Sequence, residues 1–112
     1  MRPLPTRTFL KDLNRRCRQS GLELVRIPSK GKGSHQGLVF RGHSEGSLKV
    51  VIPGHCDLSP GVQRELLRYV LEQTTRTSIA VEIYDILADL FQVQHAVAVQ
   101  RHHSYLWAGR QN

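Results

Sequence analysis

Leu22-Glu23-Leu24-Val25-Arg26-Ile27, His35-Gln36-Gly37-Leu38-Val39-Phe40-Arg41 and Leu48-Lys49-Val50-Val51-Ile52 are the three runs whose reading decides the fold. Each is short, rich in branched or aromatic residues, and bounded by turn formers, which is the signature of a strand. Pro28 closes the first, and residues 29–34 form a turn of glycine, lysine and serine. Residues 42–47 make a second turn, and Pro53-Gly54 ends the third run. Such brief connections favour an antiparallel meander, since a parallel pair needs a long crossover. The strand period of two sends Leu38 and Phe40 to one face and His35, Val39 and Arg41 to the other.

Helical patterns flank these strands. Phe9, Leu13 and Cys17 recur every four residues with Leu10 beside them, while Lys11, Arg15 and Arg18 lie opposite. Residues 8–20 therefore read as an amphipathic helix, with Thr6 or Thr8 as its expected cap and Ser20-Gly21 as its stop. Ser59-Pro60 opens a second helix, because serine caps well and proline suits the first helical position. Val62, Leu66 and Val70, with Leu67 and Leu71, line its apolar stripe. The simplest packing lays both helices on one sheet face and leaves the other open. After the polar break at residues 74–78, Ser78 is the expected cap of a third helix through Ile79, Ile83, Ile86, Leu87 and Leu90. Val93 to Val99 alternates like a fourth strand. The expected organisation is an α+β domain over residues 1–76 with a C-terminal extension over 77–112.

Composition narrows the class. The 112 residues are 39% hydrophobic, enough for a modest core. No apolar run approaches the ~20 residues of a membrane helix. The start, Met1-Arg2-Pro3-Leu4-Pro5-Thr6, lacks the apolar stretch of a secretory signal. A soluble, cytoplasmic protein is expected, with Cys17 and Cys56 as reduced thiols. The net charge is +7, and residues 1–76 carry all of the excess: four lysines and ten arginines stand against six acids. A basic domain of this size attracts polyanions, of which nucleic acid is the usual one.

One histidine stands out. His35 sits at the entrance of the second strand, directly after a flexible turn that carries Lys30, Lys32 and Ser34. An imidazole exchanges protons near neutral pH, and ammonium groups hold phosphate. Glycines let backbone amides approach an anion closely. The combination suggests phosphodiester chemistry. In RNA the 2′-hydroxyl can attack the adjacent phosphate, and a protein assists with proton transfer and positive charge. His35 would move the proton, and Lys30, Lys32 and the turn amides would hold the phosphate. Arg41 and Lys49 add phosphate contacts on the same sheet side, and His55 after Pro53-Gly54 either binds RNA or braces its loop. The scheme calls on no cofactor and no metal. A zinc site from His43, His55 and Cys56 has poor ligand spacing. A lone histidine at a strand start is more often an ordinary surface residue, so the pattern by itself also fits a non-catalytic RNA-binding module.

These residues together resemble the HicA-type mRNA interferase toxins of bacterial toxin–antitoxin systems. The resemblance covers most of residues 7–73. It runs through Gln19-Ser20-Gly21, Gly33-Ser34-His35, Val50-Val51-Ile52-Pro53-Gly54-His55 and Leu58-Ser59-Pro60-Gly61-Val62-Gln63-Arg64-Glu65-Leu66-Leu67. It implies a compact α-β-β-β-α fold like a double-stranded-RNA-binding domain. It also implies an endoribonuclease that cuts mRNA without the ribosome, with catalysis at His35, and inhibition by a HicB-type antitoxin. Two departures stand out. Many members carry a second histidine after the first, where this chain has Gln36. Members usually end soon after the second helix, so residues 77–112 have no counterpart. The apolar residues of 79–90 either extend the core or form a dimer surface.

Overall fold

The computed structural model describes residues 1–28, 35–42, 46–54 and 56–93. In chain order the elements are α1 (Thr6–Gln19), β1 (Glu23–Ile27), β2 (His35–Arg41), β3 (Ser47–Pro53), α2 (Pro60–Gln73) and α3 (Ile79–Leu90). The strands form one antiparallel sheet in the order β1-β2-β3. This is the expected meander, and three helices accompany it in an α+β arrangement. The fourth strand expected at 93–99 lies almost wholly outside the described residues.

The core forms where the two periodicities meet. Leu38, Phe40, Leu48, Val50 and Ile52 turn inward from β2 and β3 and are almost fully buried. Phe9, Leu10, Leu13 and Cys17 of α1 and Leu66, Leu67 and Val70 of α2 cover them. Helix α3 joins the same cluster through Ile79, Ala80, Ile83, Tyr84, Ile86, Leu87 and Ala88, and it packs on both α1 and α2. Phe91 stacks on Phe9 at a centroid distance of 5.5 Å. Residues 74–78 are thus a connection between packed helices, and 79–90 extend the core. An ion pair from Arg16 Nη1 to Asp89 Oδ2 (2.8 Å) adds a surface clasp. Half-exposed pairs of this kind contribute little beside the buried apolar surface.

Helix starts follow the expectations unevenly. Ser59 caps α2, its hydroxyl oxygen accepting from the Val62 amide at 3.2 Å, with Pro60 next. For α1 the cap position belongs to Pro5, and neither threonine caps. Thr6 is instead buried, and its hydroxyl donates to the Cys56 carbonyl. Ser78 stands before α3 with helical dihedrals and makes no side-chain cap. For Thr6 tertiary contact overrides the local preference, since its hydroxyl serves a carbonyl fifty residues away. Gly21 ends α1 as expected, with φ of 73°. Gly46 has φ of 127°, and a Cβ there would lie 2.9 Å from Thr77 Oγ1. Gly46 can sit this close to Thr77, in the link between α2 and α3, only because that Cβ is missing.

Candidate functional site

Pairing fixes which side chains share the open face of the sheet. Glu23, Arg41 and Ser47 form one row, and Val25, Val39 and Lys49 the next. Ile27, Gly37 and Val51 follow, and His35 opposite Pro53 ends the series. His35 is exposed at this end. Lys49 is drawn toward it: a Cβ at position 37 would stand only 3.2 Å from Lys49 Cε. The missing side chain of Gly37 gives the lysine room to lie flat across β2.

From His35 a groove of about 1080 Å³ follows the outer edge of β3. That is as large as the biggest small-molecule sites (roughly 300–1,000 Å³), a size suited to part of a polymer. The sheet supplies His35, Lys49, Val51 and Pro53, and α2 with its cap Ser59 supplies Val62, Arg64, Leu66 and Tyr69. Glu65 also lines it, but its carboxylate accepts from Arg68 Nη2 at 2.6 Å. Among the described residues no acid pairs with Lys49 or Arg64. The groove therefore offers two uncommitted cations and an exposed imidazole.

The loop between β3 and α2 is anchored from behind. Leu4 and Leu58 exchange backbone hydrogen bonds at 3.0 and 2.7 Å. The buried Gln63 amide donates to the Arg2 and Leu58 carbonyls at 2.6 and 2.9 Å. With the bond from Thr6 to the Cys56 carbonyl, these ties hold the segment leading into α2, and Gln63 in its first turn, against the N-terminal residues 2–6.

A second cleft, of about 930 Å³, lies on the other side of the same strand end. Arg7, Lys11 and Asn14 of α1 face Arg26 and Gln36 across it. Arg26 donates to Gln36 Oε1 through Nε (3.3 Å) and Nη2 (3.1 Å), which holds its guanidinium in the cleft. His35 and Gln36 are neighbours on one strand, so alternation sends one to each depression. Pro53 borders the first and Gly54 the second.

Of the residues expected in the site, the structure brings together His35 and Lys49. Arg41 shares their sheet face, but six residue steps along the strand, about 20 Å, separate it from His35. It stands opposite Glu23 instead. Lys30, Lys32, Ser34 and His55 lie outside the described residues. Sequence reasoning missed Arg64, Tyr69, Arg7, Lys11 and Arg26 as groove and cleft residues. Tyr69 had a usable signal, since it continues the Val62–Leu66 spacing at i+7, one position short of Val70. Comparison of the chain with protein-family models, curated proteins and solved structures finds no match. No helix of the described residues is long and apolar enough to cross a membrane.

Proposed function

We propose that this chain is an endoribonuclease of the HicA toxin type, built on a double-stranded-RNA-binding-like α-β-β-β-α framework with α3 added to its core. One observation carries the reading: His35 is exposed at the mouth of a groove that also holds Lys49 and Arg64. The imidazole takes the proton of a 2′-hydroxyl, and the oxygen attacks the neighbouring phosphorus. The bond to the 5′-oxygen breaks, that oxygen takes a proton from water, and the imidazolium returns its own proton to the hydroxide left behind. The products are a 2′,3′-cyclic phosphate and a free 5′-hydroxyl. Lys49 and Arg64 neutralise charge on the phosphate as it builds. Arg7, Lys11 and Arg26 extend the basic surface past Gly54 and lengthen the phosphate track. Proton transfer of this kind contributes about 100- to 10,000-fold in rate. The substrate is cytoplasmic mRNA, and a HicB-type antitoxin, acidic where it meets the groove, is the regulating partner.

The test is incubation of purified protein with end-labelled RNA. The wild-type chain is expected to cut. His35→Ala should abolish cutting and leave thermal unfolding unchanged, because the side chain is exposed. Expression without the antitoxin should arrest growth, and co-expression should restore it. If wild-type protein binds RNA and yields no products, the chain is a binding module. If His35→Ala cuts at the normal rate, the proton acceptor lies elsewhere.

A further inference from the structure

The β3–α2 groove is more apolar than phosphate binding requires. Val51 is 55% exposed and Tyr69 42% exposed, and both line it with Val62 and Leu66. Phosphates and sugars gain nothing from such walls. A nucleobase does, because it has apolar faces and polar edges. We infer that this groove seats an unpaired nucleobase with Tyr69 as its stacking platform, so that the RNA presented to His35 is single-stranded.

The inference rests on the nuclease reading for the role of His35, and on the groove's own chemistry for the rest. Lys49 and Arg64 are free to hold the phosphates on either side of a seated base. Among the described residues β3 is an edge strand, and alternate backbone N–H and C=O groups on its outer side have no strand neighbour there. Those groups can meet the polar edge of a base. A duplex would use none of this, since A-form RNA shows its partner phosphates and 2′-hydroxyls while its bases stay stacked inside. Seating one base would also splay the backbone beside it. The 2′-hydroxyl could then swing behind the phosphorus, in line with the departing oxygen, an alignment that regular A-form stacking opposes.

The probe is a fluorescent ten-residue 2′-O-methyl oligouridylate, which has no free 2′-hydroxyl and cannot be cut. Its partner is an abasic oligomer of equal charge. Wild-type protein should bind the base-bearing oligomer roughly 5- to 100-fold more tightly than the abasic one, the range expected when one stacked base is lost. Tyr69→Ala should lose that preference and bind both like the abasic probe. Tyr69→Phe should keep it. Annealing the probe to its complement should weaken binding to wild-type protein and change little for Tyr69→Ala. Tyr69 is half-exposed, and a circular dichroism melt will show that its variants stay folded.

Equal affinity of wild-type protein for the two oligomers, or tighter binding of the duplex, overturns the inference while leaving the nuclease reading intact. A base preference that depends on Tyr69 in a protein that cuts no RNA upholds the base seat and removes the nuclease reading alone. If Tyr69→Ala instead turns a dimer into a monomer with RNA affinity unchanged, the groove seats a second copy and the inference is wrong.

Discussion

The two faces of the sheet come from the same strands, yet they serve opposite ends. Phe40 and Leu38 on the helix side are fully buried, while Val51 and Lys49 on the other side stand in solvent. One face concentrates apolar contact and holds the fold together. The other carries charge, an imidazole and exposed aliphatic carbon, and contributes little to stability. The contrast teaches where substitution is tolerated. A change on the inner face costs folding free energy, whereas a change on the outer face is free to alter what the protein binds.

Three measurements can break or sharpen that contrast. The largest effect is expected at Phe40: Phe40→Ala should lower unfolding free energy by about 3–5 kcal/mol in a denaturant titration, as buried aromatic truncations do. Val51→Ala, three rows along the sheet on the outer face, should cost less than about 0.5 kcal/mol. Comparable losses at both sites would mean that the outer face is covered. Next comes α3. Ile83 is fully buried against the shared core, so Ile83→Ala should cost about 2–5 kcal/mol and keep a single cooperative transition. A separate early transition would show that residues 79–90 fold independently of the sheet.

The smallest effect is a pH dependence on the inner side. Burial raises the Cys17 thiol from 9.0 to about 11, and the nearby Arg16 charge only partly opposes this. The folded value lies above the unfolded one, so its contribution is complete below pH 9. It is lost as pH rises from 9 to 11, by roughly 2–3 kcal/mol at most. Burial also raises the Tyr84 phenol, with Asp85 adding to the shift, so that group works in the same direction. Cys17→Ala should be less stable at neutral pH but lose less between pH 9 and 11. The native protein should also show one thiol reactive with maleimide at neutral pH, that of the exposed Cys56. Rapid labelling of both thiols would place Cys17 outside the core.

Much of this architecture was legible because its signals are local. The strand runs, their alternation and the Ser59-Pro60 helix start depend on neighbours a few residues apart. Thr6 was misread because its hydroxyl serves the Cys56 carbonyl, and no local pattern announces such a partner. The site divides in the same way. The place of His35 at a strand mouth is a local fact. That it shares a groove with Arg64 and Tyr69 is not, because those residues stand on helix α2, about thirty residues further along the chain, and meet the strand end only through packing. Arg41 shows the converse. Alternation put it on the correct face, but only the register sets it opposite Glu23 and far from the imidazole.

By itself the sequence determined the element types, the two-faced sheet and the excess of positive charge, all of which follow from residue chemistry repeated at short period. Only the tertiary structure decided that α3 completes the core, that Gly37 gives Lys49 its path toward His35, and that α2 walls the groove beside β3. The physical reason is range. Periodicity acts within an element, whereas packing joins residues far apart in the chain, and which of them meet depends on every other contact being made at once.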